Sequence, residues 1–186
     1  MILAVDVGNS NTTVGLFNGT GELLFRALLE TSRSKTRDQC AIELLGVFQL
    51  YGADACTVDG AILSSVVPPL TTIFTDAIAR LTGIPPMVVG PGIRTGLNIK
   101  AEIHNQLGSD IVASSVAAIA KYPSPIVMVD MGTATSLSLI VGSVYEGCII
   151  MPGLALALDA LSERAAALPP ISIETASPVG LMGHTT

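Results

Sequence analysis

Tryptophan is absent from this 186-residue chain, and other aromatics are scarce: three tyrosines and four phenylalanines. The core must therefore be built from aliphatic side chains, which dominate a hydrophobic content of 49%. Charge is thin as well. Only 13% of residues are Asp, Glu, Lys or Arg, about half the quarter usual for a soluble domain. Either the core is large or a partner covers much of the surface. Basic residues are scarcest, nine Lys and Arg against fifteen Asp and Glu, for a net charge of −6. A nucleic-acid surface needs clustered cations, so that class of partner is excluded. The three cysteines, Cys40, Cys56 and Cys148, are odd in number and form no CxxC. Free thiols in a reducing cytoplasm are expected. His104 and His184 have no ligand-spaced partner, which argues against a structural metal centre. No apolar run reaches membrane-spanning length before Asp, Gly or Pro breaks it. No basic segment with an apolar stretch and cleavage site precedes the first strand. A cytoplasmic protein without a membrane partner is expected.

What is present is concentrated at the start. Ile2 to Val5 is an apolar run that reads as a buried strand, and it ends in Asp6 and a turn-rich Gly8-Asn9-Ser10-Asn11. Alternation resumes through Phe17, giving a β-hairpin whose Gly8, Asn9 and Asn11 suit the unusual φ/ψ of a tight turn. Successive backbone N–H groups in such a turn form an anion site. Asp6, at its mouth, has the chemistry to hold a hydrated Mg²⁺ against a phosphate. An edge hairpin with ordinary turn chemistry is the competing reading.

The rest of the chain alternates. Glu22 to Leu29 reads as a third strand and the polar Thr31 to Arg37 as a loop. Asp38 is placed to cap a helix to about Tyr51 with Ile42, Leu45 and Phe48 on one face. Val58 to Ser65 reads as a strand stopped by Pro68-Pro69. Thr71 or Thr72 then leads a helix to about Leu81, closed by Gly83. Met87 to Val89 is a short strand before the glycine-rich Gly90 to Gly96, which is either a plain connection or a substrate-lining loop with Arg94 available to an anion. A second series follows: a helix from about Asp110 to Lys121, a strand from Ile126 to Asp130, and a turn at Met131-Gly132. Thr135 to Val141 and Val144 to Ile150 form a hairpin around Gly142-Ser143. A helix then runs from Gly153 to about Ala167, stopped by Pro169-Pro170. Its broad apolar face suits core packing or a dimer interface.

One pattern recurs. Asp6-x-Gly8 and Asp130-x-Gly132 each end an apolar strand and lead into a returning one, as a duplicated α/β unit with two carboxylates facing one cleft would. The second turn, through Thr133 and Thr135, offers the groups that hold a cation and a triphosphate tail, or simply satisfies its own turn. Gly108-Ser109-Asp110 opens a helix; Asp110 is a cap, a general base for a phosphoryl acceptor, or both.

Taken together, these stretches resemble the type III pantothenate kinases, of the acetate-and-sugar-kinase, chaperone-ATPase and actin superfamily. The resemblance rests on Asp6 to Thr12, Ser64 to Pro69, Val89 to Asn98, Gly108 to Asp110, Val129 to Thr135, Gly147 to Gly153 and Arg164 to Pro169, in order along the chain. It implies an α/β fold of two ribonuclease-H-like halves around a cleft. The first spans residues 1–107 and the second 108–186, with the second half incomplete. It implies a homodimer with pantothenate near the dimer interface. The reaction it implies is transfer of the ATP γ-phosphoryl to pantothenate, the first step of coenzyme A synthesis. On that basis Asp6, Val7, Gly8, Asn9, Ser10, Asn11, Thr12 and Thr13 cradle the phosphates, with Asp6 supporting Mg²⁺. Thr133 contacts nucleotide and Asp130 binds a monovalent cation, potassium or ammonium. Asp110 is the base, and Gly108, Ser109, Asp110, Ile111 and Thr186 lie on the substrate side. Two positions depart from the family pattern, Ile111 where arginine is usual and Ala101 where a tyrosine often stands. They leave open a different small hydroxy acceptor, or a non-catalytic relative that binds nucleotide or pantothenate.

Overall fold

The computed structural model describes residues 1–90, 93–100 and 107–165. Ala101, His104, Pro169-Pro170, His184 and Thr186 lie outside them, as does the expected end of the last helix near Ala167. Two mixed sheets organise the chain. The first contains β1 (Ile2–Val7), β2 (Asn11–Phe17), β3 (Leu23–Glu30), β4 (Gly60–Ser65) and β5 (Met87–Val88), in the order β3-β2-β1-β4-β5. β1 runs antiparallel to β2 and parallel to β4. Alternation explains its placement: Leu3, Val5 and Val7 are buried while Ile2 and Asp6 are exposed, as a period of two requires.

Two helices cover this sheet, α1 (Arg37–Leu50) and α2 (Pro68–Thr82). Leu3, Val5, Val7, Val14, Leu16 and Leu63 from the strands meet Leu44 and Phe48 of α1 and Leu70, Phe74 and Ile78 of α2 in one core. Three of the few aromatics meet one another. Phe25 meets Phe48 edge-on at 5.7 Å and stacks on Tyr51 at 4.6 Å, geometries favoured by the ring quadrupole.

Several helix expectations need correcting. Thr36, not Asp38, caps α1: its hydroxyl accepts the Gln39 amide while the Gln39 side chain accepts the Thr36 amide. The pair is a capping box, which outcompetes a lone carboxylate at the second helical position. The inner face of α1 is Cys40, Leu44, Val47 and Phe48, whereas Ile42 and Leu45 are exposed. Helical spacing puts 42 and 45 on the side opposite 40, 44 and 47, and the helix is apolar on both. Pro68 begins α2 instead of ending the strand, since a first-turn proline loses no hydrogen bond there. Gly83 closes α2 in the left-handed conformation, as expected.

The second sheet has β6 (Asn98–Ile99), β7 (Ile126–Met131), β8 (Ala134–Val141) and β9 (Val144–Pro152), in the order β6-β9-β8-β7. α3 (Ser109–Lys121) precedes β7, and α4 (Leu154–Arg164) follows β9. Among the described residues β7 is an edge, without the parallel neighbour that β4 supplies to β1. The β7-β8-β9 meander otherwise repeats β1-β2-β3. Its buried cluster is small, Ala118, Ile126, Ile140 and Tyr145. Val127, Val129, Met131, Leu139 and Ile149 lie exposed on the opposite face.

Candidate active site

The duplication places the two carboxylates in matching positions. Asp6 pairs with Thr13 one step before the β1–β2 turn, and Asp130 pairs with Ser136 one step before the β7–β8 turn. The turns close alike. The Gly8 amide donates to the Asn11 carbonyl and the Gly132 amide to the Ala134 carbonyl, each at 3.0 Å. Contrary to the expected turn geometry, Asn9 and Asn11 do not adopt positive φ. Gly8 is required for space, because a Cβ there would lie 2.9 Å from the Asn11 carbonyl oxygen.

Each turn is braced from behind. Thr12 is buried, and its hydroxyl shares a 2.8 Å hydrogen bond with that of Thr31, whose amide donates to the Ser10 carbonyl at 3.0 Å. This leaves the Asn9, Ser10 and Asn11 side chains exposed. Val7 is fully buried, so only its backbone can face a ligand. The second turn rests on Gly153, whose amide donates to the Thr133 carbonyl at 3.0 Å. A Cβ on Gly153 would meet the carbonyl oxygens of Gly132 and Thr133 at 2.1 and 2.6 Å, so this glycine is an obligatory backbone-to-backbone contact. The turns touch across the cleft through the hydroxyls of Ser10 and Thr133, 3.0 Å apart.

Asp110 sits in the first turn of α3, where Gly108 is the cap residue but offers no side chain. The carboxylate supplies the missing acceptor itself: its Oδ1 takes the Ile111 amide at 2.7 Å. It also occupies the space that a Cβ on Gly108 would need, 2.3 Å away. The Ser109 hydroxyl turns towards the first sheet. It accepts the Ser65 amide, donates to the Ser65 carbonyl, both at 3.0 Å, and meets the Ser64 hydroxyl at 3.2 Å. Ile111 is half-buried against the Ala118–Tyr145 cluster, so its side chain packs inward. Arg94 is exposed.

The three carboxylates share one field. Lost hydration raises the Asp6 pKa above the usual carboxylate value; the neighbouring Ser64 hydroxyl opposes this, and the charges of Asp110 and Asp130 raise it further. Burial is the larger cause and the two like charges add to it, although one side of Asp6 stays open to solvent. A cation would relieve that repulsion. Among the described residues no three His, Cys, Asp or Glu groups form a protein-only metal cage. A cation here would need waters and phosphate oxygens as further ligands, the mode usual for Mg²⁺. A separate groove of about 280 Å³ between α1 and α2 is lined by Asp38, Ala41, Ile42, Leu45, Arg80 and Leu81, and includes none of these groups.

Sequence reasoning missed Ser64, the hydroxyl side of Ser109 and the Thr31 brace. All three depend on pairings between distant residues, which no local pattern announces.

Known proteins fit this arrangement. A 2-dehydro-3-deoxygalactonokinase protein from Sinorhizobium meliloti superposes with a TM-score of 0.54 at 13% identity, over 88% of this chain and 57% of that one. A Baf family transcriptional activator from Campylobacter jejuni superposes with a TM-score of 0.50 at 20% identity, over 87% and 59%. At such identities the likeness concerns fold alone: two ribonuclease-H-like halves around a cleft, as in actin-like ATPases and sugar kinases. Sequence relatives are nearer. The type III pantothenate kinase of Geobacillus sp. (strain WCH70) is 41% identical over 187 residues, all of this chain and 71% of the relative. That of Listeria monocytogenes serovar 1/2a is 39% identical over 180 residues, 96% of this chain and 69% of the relative. The family model for type III pantothenate kinase matches residues 2–186. With a duplicated strand–Asp–x–Gly turn on each side of a three-carboxylate cleft, and a family match that runs almost from end to end, the chain belongs to the type III pantothenate kinase family.

Proposed function

We propose that this protein transfers the γ-phosphoryl group of ATP to the hydroxyl of pantothenate, giving 4′-phosphopantothenate. The observation that carries the reading is the meeting of Asp6, Asp110 and Asp130 in one cleft, from two matching turns and a helix start. The turn from Val7 to Thr13, with Thr133 opposite, presents amides and hydroxyls to a triphosphate tail. Mg²⁺, when bound, neutralises charge on the transferring group, and the Asp6 carboxylate holds it on the first half. Asp130 holds potassium or ammonium.

Asp110 accepts the proton of the attacking hydroxyl. One of its oxygens is engaged by the Ile111 amide, which leaves the other for that role. Gly108, Ser109 and Ile111 form the wall around it through their backbone. Thr186 belongs to the substrate side by resemblance. The halves divide at residues 107 and 108, and the active species is a cytoplasmic homodimer. No described helix is long and apolar enough to cross a membrane. Ile111 favours one alternative, a different small hydroxy acceptor, because an inward-packed aliphatic side chain gives no charge-assisted grip on a carboxylate.

A coupled ADP-release assay with ATP, Mg²⁺ and ammonium tests the reading directly. Release that depends on pantothenate is expected; release only with another hydroxy acid, or none, overturns it. Asp110→Asn should lower turnover by roughly a hundredfold or more, as loss of a general base does, with ATP affinity within about threefold. Undiminished turnover in that variant would remove Asp110 from the role. Replacing ammonium by sodium should slow the wild-type enzyme if Asp130 holds a monovalent cation.

A further inference from the structure

We infer that Ser109 is a positioning residue whose hydroxyl fixes the base-bearing start of α3 to the end of β4, and so sets Asp110 against the phosphate-binding side of the cleft. The inference rests on the reading of Asp110 as the base. A hydroxyl has one proton and two lone pairs, and all are committed here. The proton goes to the Ser65 carbonyl, and the lone pairs take the Ser65 amide and the Ser64 hydroxyl, at 3.0, 3.0 and 3.2 Å. Nothing remains of this side chain for a substrate, so any contact it makes with one is through its backbone.

The geometry around this knot is tight on both sides. On the second half, Ser109 is the first residue of α3, and the next residue is Asp110. The Asp110 carboxylate cannot drift independently, because its Oδ1 holds the Ile111 amide and fills the hollow over Gly108. Its place is therefore set by the place of the helix start. On the first half, Ser64 and Ser65 pair in register with Asp6 and Val7 of β1, and the Val66 amide donates to the Val7 carbonyl at 3.0 Å. Asp6, Ser64, Ser109 and Asp110 thus form a continuous path from the carboxylate beside the phosphates to the base. Alanine at position 109 would leave the Ser65 amide and carbonyl without this partner. The helix start would then be free to shift by a fraction of an ångström or more, and misplacing a reacting group by about 1 Å can cost two orders of magnitude in rate.

A purely structural hydroxyl would behave differently, lowering the melting temperature while leaving turnover at 25 °C intact. The test therefore compares Ser109→Ala, Ser109→Cys and Ser109→Thr with the wild type in the ADP-release assay, with thermal unfolding measured alongside. Ser109→Ala is expected to lose about ten- to a hundredfold in kcat, with the KM for ATP within twofold. Ser109→Cys fills the volume but bonds weakly, and should be as slow; it serves in place of alanine if that variant does not fold. Ser109→Thr keeps the hydroxyl and should recover most of the rate. The inference is overturned if Ser109→Ala keeps kcat within twofold, if its loss appears only in the KM for ATP, or if threonine is no better than alanine. A wild type without pantothenate-dependent turnover would instead overturn the functional reading itself, and this inference with it.

Discussion

Tyr145 is the largest wholly buried side chain among the described residues, and it carries an ionisable group into the smaller core. Its hydroxyl lies 2.9 Å from that of Ser138. Lost hydration pushes its pKa to about 12; the Ser138 hydroxyl opposes this, while Cys148 and the charge of Asp110 add to it. Below pH 10 the phenol is neutral in both folded and unfolded chains and contributes no pH dependence. Between about pH 10 and 12 the unfolded chain releases the proton while the folded one keeps it, so stability falls as pH rises, by roughly 2–3 kcal/mol. Melting curves should show Tyr145→Phe losing less stability over that window than the wild type; equal losses would refute the assignment. Gly153→Ala makes a second prediction at this scale. Its methyl would meet backbone, which cannot rotate away, so a cost of at least about 2 kcal/mol is expected in urea unfolding, with weaker ATP binding. Residues differ in how readable they are. Asp6 and Asp130 were legible because an apolar strand, an acid and a glycine are adjacent in the chain. Ser64 and Ser109 were not, because they meet across 45 residues.

Elements were read well where one signal dominated and badly where two competed. β1 follows from an apolar run, β2 from alternation, and the end of α2 from Gly83. α1 has apolar residues on both faces, so periodicity could not choose the inner one; only the neighbouring sheet and α2 decide that Cys40, Leu44, Val47 and Phe48 turn inward. The two-residue strand β6 is too short to leave a pattern. It exists because Asn98 and Ile99 find Val144 and Tyr145 beside them. The start of α1 is a testable case. Thr36→Ala removes the hydroxyl half of the capping box and should lower stability by about 1 kcal/mol, with no effect on turnover, since α1 packs on the face of the sheet that forms the core. Thr36→Ser should restore most of the loss, and a silent Thr36→Ala would show the cap to be redundant.

Across the whole molecule the two sheets are unequally supported. Among the described residues, nineteen buried apolar side chains make up the first core and four the second, and apolar burial is the main source of resistance to opening. Hydrogen exchange followed by mass spectrometry should find β1, β2 and β4 better protected than β7, β8 and β9; uniform protection would show that both cores open together. The architecture itself was legible as a repeated unit, but its balance was not, because burial depends on which faces find neighbours. Where the two sides meet at the Asp6 and Asp130 turns, they do so through an exposed pair of uncharged hydroxyls, Ser10 and Thr133, in surroundings otherwise set by three acids. Such a pair does not titrate over the working range of the protein and has no net charge for salt to screen. Acidity, ionic strength and cation supply therefore act on the three acids, which repel one another across the cleft, while this hydroxyl contact between the turns answers to none of the three.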